Sequence, residues 1–167
     1  MDTAKKIEHL KFIIGRYDHY FDTVNTKGNV YLSLNTFILG LCITAFNLLP
    51  TNLRNDQILK CLFVLIMLLC AASVGTTLLA LKPYITPKSK SNKSIVYFGD
   101  VSHCGYEHYK KLFNEQTEAD FLNDLTKQAN LLACGLQNKF RFLSKATIVM
   151  GVKLLLIVVF GIILMNK

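Results

Sequence analysis

The sequence predicts an all-α membrane protein with three transmembrane helices, helical cytoplasmic extensions and a small helical cytoplasmic region. The chain has 167 residues, 51% of them hydrophobic, and a mean hydropathy of +0.33, which is more apolar than an average soluble domain. Residues 30–49 and 61–81 contain no Asp, Glu, Lys or Arg. Each segment reaches the roughly 20 residues that a helix needs to cross ~30 Å of hydrocarbon. We therefore predict the first span at 30–49 and the second at 61–81.

A third span is predicted at 146–165, although this segment contains the charged residue Lys153. Its purely apolar part, 154–165, is too short to cross a bilayer alone. A lysine at the centre of a transmembrane helix costs about 2.5 to 3.5 kcal/mol on insertion scales. The Lys153 amine therefore either snorkels to the cytoplasmic headgroups, which we favour, or faces protein or water inside a bundle.

The distribution of Lys and Arg predicts the orientation of the chain. Residues 1–29 contain five, the 50–60 loop two and the 82–145 segment ten. By the positive-inside rule, 1–29 and 82–145 lie in the cytoplasm, whereas 50–60 and the C-terminus lie outside. The net charge of +8 would then favour anionic lipid headgroups and anionic ligands at the inner face. The odd number of cysteines, five, favours reduced thiols.

Apolar residues at alternating spacings of three and four predict one helix before the first span and another before the third span. Each such row of apolar residues forms a narrow seam along one side of its helix. The residues of the first seam are Ile7, Leu10, Ile14, Tyr17, Phe21 and Val24, and those of the second are Leu122, Leu125, Ala129, Leu132, Leu136 and Leu143. Lys139 interrupts the second seam, and no proline separates it from the third span. We expect both helices to continue into spans and to pack together, although the first seam also suits dimerisation or the membrane surface.

Between the second and third spans, the sequence predicts further short elements. Pro87 and its neighbouring lysines form a basic linker, and residues 94–100 are interpreted as a loop rather than a strand. A helix is predicted from Ser102 to Glu115. Thr117 and Asp120 resemble a capping box that starts the next helix.

Catalytic motifs do not occur in this sequence. It lacks a nucleophile elbow, a P-loop, a zinc-protease motif, paired CxxC and a dinucleotide-binding glycine motif. His103, Cys104 and His108 form a cluster, but zinc usually takes three or four protein ligands, so we expect no metal. We predict no enzyme activity, no catalytic residues and no cofactor.

The segment from Lys93 to Tyr109 contains the residue types most suited to a small ligand. Its aromatic rings can stack a base, and its polar groups and backbone amides can contact a phosphate. The candidate ligand-binding residues are Lys93, Tyr97, Phe98, Gly99, Asp100, Ser102 and His103. An equally good interpretation is that the two aromatic residues pack the cytoplasmic domain.

Small and polar residues form a stripe along the first span. Its members are Ser33, Thr36, Gly40, Thr44 and Asn47, and the second span has Ala72, Thr76 and Ala80 at four-residue spacing. Such stripes let transmembrane helices approach closely, which is the role that we favour. In a homo-oligomer the same stripe, with Lys153 as a charged ring, would line a water-filled path.

Several ordered stretches resemble one family of membrane proteins. They are Leu10–Tyr20, Asn25–Gly28, Leu34–Phe37, Ile95–Asp100, and Gln128 followed by Lys139–Leu143. In this order around three spans, they resemble the transmembrane effector of the bacterial Pycsar anti-phage defence system.

The resemblance implies an effector that responds to cyclic CMP or cyclic UMP made by a pyrimidine nucleotide cyclase. It would impair the inner membrane and cause growth arrest or abortive infection, with no nucleic acid as partner. The family pattern assigns no nucleotide-contacting residues, so the candidate site rests on residue chemistry. The alternative function is a non-conducting membrane scaffold that recruits a cytoplasmic partner through the basic helices.

Overall fold

All regular structure in the described part of the chain is helical. The computed structural model describes residues 2–83 and 94–166, so Lys93 and the basic linker lie outside the described residues. Within those ranges the helices are α1 (Thr3–Leu48), α2 (Thr51–Arg54), α3 (Gln57–Leu81), α4 (Phe98–Val101), α5 (Tyr106–Glu115) and α6 (Glu118–Met165). The predicted all-α membrane fold is confirmed.

Three of these helices are long and apolar enough to cross a membrane: α1, α3 and α6. The 25 residues of α3 cover about 37 Å, slightly more than the hydrocarbon thickness. The 46 residues of α1 and 48 of α6 cover about 70 Å each, so both helices extend well beyond any bilayer. The predicted continuity of the seams with the first and third spans is confirmed.

The chain divides into two compact units. Unit 1 comprises Met1–Asp22 and Pro83–Gln137, and unit 2 comprises Thr23–Lys82 and Asn138–Lys167. Unit 2 contains the predicted spans, and unit 1 contains most of the predicted cytoplasmic residues. Helices α1 and α6 each contribute residues to both units.

The predicted seams form the less exposed faces of α1 and α6. In unit 1, Leu125, Ala129 and Leu136 are buried, and the α1 seam from Ile7 to Phe21 is half-buried. The ammonium of Lys11 lies 5.8 Å from the centroid of the Phe121 ring. These contacts support the predicted packing of α1 against α6 within one chain.

Close contacts join the first two spans in unit 2. The rings of Phe46 and Phe63 are stacked with centroids 4.0 Å apart. A Cβ atom on Gly28 would lie 2.6 Å from Cδ2 of Leu81, so any larger residue would require the Leu81 side chain at the end of α3 to shift. Helix α3 ends there because Pro83 restricts Lys82 to an extended conformation, with ψ of 133°.

Helix α5 begins later than predicted, at Tyr106 rather than Ser102. Residues 97–104 form a separate hydrogen-bonded turn around α4, in which the amide of Cys104 donates to the carbonyl of Val101. Gly105 then adopts an extended conformation, with ψ of 150°, which separates the two helices. The prediction for 94–100 as a loop holds, except that Phe98–Val101 makes one helical turn.

The predicted capping box starts α6. The Thr117 hydroxyl donates to Oδ2 of Asp120 at 2.6 Å, and the Asp120 amide donates to the Thr117 hydroxyl at 3.2 Å. Hydrogen bonds from the Thr117 side chain and backbone lower the pKa of the Asp120 carboxyl.

This capping box predicts an acid-sensitive start of α6. Because the pKa of Asp120 is lower in the folded chain, its stabilising effect is present above the unfolded value of about 3.9 and is lost as the pH falls through the folded value. Hydrogen exchange at the Asp120 amide, corrected for intrinsic rates, should lose protection in that acidic window. The Asp120→Asn variant should lack this step; an identical step in both proteins would contradict the prediction.

Candidate functional site

A polar network is buried among the spans of unit 2. Lys153 is 0% exposed, and its Nζ donates a hydrogen bond to Oδ1 of Asn35. The amide nitrogen of Asn35 donates to the carbonyl of Tyr31 at 2.8 Å and to the hydroxyl of Ser73 at 3.0 Å. One network therefore joins α1, α3 and α6.

The burial of Lys153 decides between the two interpretations of this residue. Its amine faces protein, so the favoured expectation that it snorkels to the headgroups is wrong. Apolar residues lie on both sides of it, and its acceptor is an uncharged amide. Placing an ionisable group within a bilayer costs free energy, and such groups usually mark functional elements. The network is therefore the first candidate for a part of the spans that changes conformation.

Sequence analysis missed Asn35 as the partner of Lys153. Asn35 is 1% exposed and lies between two stripe members, Ser33 and Thr36, but on a different face of α1. Residues 30–49 contain two side-chain amides, Asn35 and Asn47, and Asn35 lies farther from the end of the span, which is the signal that could have identified it as the partner of Lys153.

The stripe of the first span lies on an exposed face of unit 2. Ser33, Thr36, Gly40, Thr44 and Asn47 are all exposed in the single chain. The Ser33 hydroxyl donates to the Asn29 carbonyl at 3.0 Å, and a Cβ on Gly40 would meet nothing within 4 Å. The stripe does not pack against its own chain, and its role in an oligomer or a pore stays a prediction.

A second lysine caps the C-terminal end of α3. Lys139 is 7% exposed, and its Nζ donates to the carbonyls of Ala80 at 2.9 Å and Leu81 at 3.2 Å. These carbonyls belong to the last turn of α3, where a cation also interacts favourably with the helix dipole. Burial lowers the pKa of Lys139. The residue that interrupted the apolar seam is thus a tether between α6 and α3.

The loop that carries the predicted ligand residues is attached to α6 in unit 1. Oδ2 of Asp124 accepts hydrogen bonds from the hydroxyl of Ser94 and the amide of Ile95, both at 3.0 Å. The Tyr109 hydroxyl donates to the Ile95 carbonyl at 3.4 Å. These contacts hold the start of the loop between α5 and α6.

The described members of the predicted ligand site form a compact turn. The Tyr97 ring covers the backbone of Gly99, where a Cβ would lie 2.4 Å from the ring. The Ser102 hydroxyl donates to the Gly99 carbonyl at 3.1 Å, and Asp100 is 4% exposed.

Phe98 and His103 are exposed, whereas Lys93 lies outside the described residues. The turn brings the described candidate residues together, but the ring of Tyr97 occupies the position over Gly99 that a phosphate would need. Ligand binding by this loop stays a prediction.

Metal-binding groups are not clustered in residues 2–83 and 94–166. No three His, Cys, Asp or Glu side chains there could hold one ion together.

Comparison with known proteins identifies the family. The model of the Pycsar effector protein domain matches residues 9–165, nearly the whole chain. The chain belongs to this family. The Pycsar effector protein EcPycTM of Escherichia coli is 25% identical to this Pycsar effector across 87% of this chain and 85% of its own length. No solved structure matches the chain at a significant level. Membership supports a role as an effector of anti-phage defence, placed in a membrane by three apolar helices.

Proposed function

We propose that this Pycsar effector is activated by a cyclic pyrimidine mononucleotide, cyclic CMP or cyclic UMP, and then impairs the integrity of the inner membrane. The observation that carries the proposal is that α1 and α6 each combine a span in unit 2 with residues of unit 1. Binding to unit 1 can therefore act on the spans through unbroken helices. Growth arrest or abortive infection would follow from the loss of the membrane barrier.

In this proposal, the polar network of Lys153, Asn35 and Ser73 is the part of the spans that adopts two conformations. A ligand shifts a conformational equilibrium only when it prefers one state. Polar groups inside a bilayer are stable when paired with each other and costly when separated. We infer that the resting state keeps this network closed and that the active state rearranges it.

The proposal also specifies the partners of the chain. A pyrimidine nucleotide cyclase would supply the ligand, inner-membrane lipids would be the target, and several copies would assemble as a homo-oligomer through exposed faces of the spans. Catalysis, a cofactor and nucleic acid have no part in this mechanism.

The proposed orientation predicts which cysteines a membrane-impermeant maleimide reaches. Cys134 is exposed in unit 1, and Asn52 is exposed in α2 between the first two spans. In intact spheroplasts, a single-cysteine variant with Asn52→Cys should be labelled, whereas one that keeps Cys134 should be labelled only after permeabilisation. The reverse pattern would place unit 1 outside the cell.

Co-expression with a pyrimidine nucleotide cyclase tests the proposed function in cells. We expect loss of membrane potential, followed by growth arrest, only when the chain and an active cyclase are present together. An inactive cyclase variant and an adenylate cyclase are the matched controls. A normal potential with the active cyclase would reject the proposal, and growth arrest without depolarisation would favour the scaffold alternative.

A further inference from the structure

Aromatic and cationic side chains line one exposed face of α1 in unit 1. The members of this aromatic–arginine surface are Phe12, Gly15, Arg16, His19 and Tyr20, at spacings of three and four residues. Residues so spaced lie on the same side of a helix. Together they line a shallow, open cavity of about 350 Å³ on this one helix.

The guanidinium of Arg16 is held between two rings. Its Cζ lies 6.0 Å from the centroid of Phe12 and 5.8 Å from that of Tyr20, and its Nη2 donates to the Tyr20 hydroxyl at 2.8 Å. Within residues 2–83 and 94–166, no carboxylate lies within ion-pair distance of Arg16. A guanidinium has five N–H donors, so a positioned cation with unused donors faces the cavity.

These side chains suit a nucleotide, which carries both a phosphate and a base. The planar donor fork of arginine matches a phosphate, and the Tyr20 hydroxyl, which accepts from Arg16, can donate its own proton. Phe12 is 65% exposed, and base–aromatic stacking contributes about 1–3 kcal/mol. A Cβ on Gly15 would meet nothing within 4 Å, whereas the space over Gly99 is filled by a ring. The α1 face is thus the more open of the two candidate surfaces.

We propose that the aromatic–arginine surface binds the activating mononucleotide, with Arg16 on the phosphate and Phe12 against the base. This inference rests on the proposed function and assigns its ligand site to α1 instead of the 94–103 loop. A lipid phosphate would use Arg16 as well, but it would gain nothing from a ring placed for a base.

Calorimetric titration of the full chain in detergent tests the assignment. Cyclic CMP, cyclic UMP and inorganic phosphate are titrated separately into the wild type. Arg16→Gln and Phe12→Ala should each weaken binding of the preferred cyclic nucleotide about tenfold or more, because they remove a charge-assisted hydrogen bond and a stacking contact. Arg16→Lys should restore part of the affinity, since it keeps the charge but loses the fork.

Two matched variants separate a specific site from general effects. Lys5→Gln removes the same charge from the same face of α1, about 16 Å away. Phe98→Ala removes a phenyl ring that is 64% exposed, much like Phe12, from the predicted loop site. Both controls should bind like the wild type, and all of these exposed substitutions should leave the thermal midpoint unchanged.

The possible outcomes distinguish this inference from the proposed function. If the wild type binds neither cyclic nucleotide, the proposed function fails. If the wild type binds a cyclic nucleotide and Arg16→Gln and Phe12→Ala bind it equally well, the proposed function stands and the α1 site is rejected. Weaker nucleotide binding by Phe98→Ala would then assign the site to the loop. The proposal is also overturned if Lys5→Gln weakens nucleotide binding as much as Arg16→Gln does. It is overturned as well if inorganic phosphate binds as tightly as the nucleotide and Phe12→Ala leaves phosphate binding unchanged.

Discussion

Replacing Asn35 by leucine is expected to destabilise the spans by about 3 kcal/mol, because it leaves the amine of Lys153 buried without its hydrogen-bond acceptor. Unfolding of the purified chain in mixed micelles would measure this loss. The Ser33→Ala variant is the control, since Ser33 is exposed and its hydroxyl donates to a carbonyl of its own helix. Its change should stay within about 0.5 kcal/mol.

A double variant separates the loss of the hydrogen bond from simple loss of packing. Lys153→Met removes the buried charge and leaves the Asn35 amide bonded to Tyr31 and Ser73, so it should cost less than Asn35→Leu. Adding Lys153→Met to Asn35→Leu should then recover part of the lost stability, because no amine is left without a partner. A double variant that is no more stable than Asn35→Leu would contradict the network.

Reversing the charge of Lys139 is the second change with a large expected effect. Lys139→Glu places a carboxylate against the carbonyls of Ala80 and Leu81, where it can neither donate a hydrogen bond nor interact favourably with the end of α3. We expect a loss of about 3 kcal/mol in the same unfolding measurement, typical of an uncompensated buried charge.

The control for this reversal is Lys127→Glu, on the same helix. Lys127 is exposed, and its substitution changes the net charge by the same amount. Its effect should stay within about 0.5 kcal/mol. If both reversals destabilise the chain equally, the tether between α6 and α3 makes no specific contribution.

Sequence patterns predicted the helices well because those patterns are long and periodic. The uncharged run at 30–49 lies within α1 except for Leu49, and the run at 61–81 lies within α3. The seam from Leu122 to Leu143 lies on the buried side of α6. The Thr117–Asp120 capping box was predicted because its residues are neighbours in sequence. The start of α5 was not, because it depends on how residues 97–104 fold into a separate turn.

Periodic sequence patterns could not predict the contacts between residues that are far apart in the chain. Lys153 and Asn35 are 118 positions apart, and Lys139 and Ala80 are 59 apart. A lysine in an apolar segment signals that a partner is needed but does not identify it. The aromatic–arginine surface could not be predicted because Phe12 and Arg16 lie outside the apolar seam of α1, and an exposed aromatic residue does not by itself indicate a binding site.

Dye release from proteoliposomes most directly tests whether a cyclic pyrimidine nucleotide switches the membrane-disrupting activity of the purified chain. The account predicts rapid release when cyclic CMP or cyclic UMP is added to the side that unit 1 faces, and little release with cyclic AMP or without nucleotide. Release that is equally fast in all of these conditions, or absent with both pyrimidine nucleotides, would contradict it.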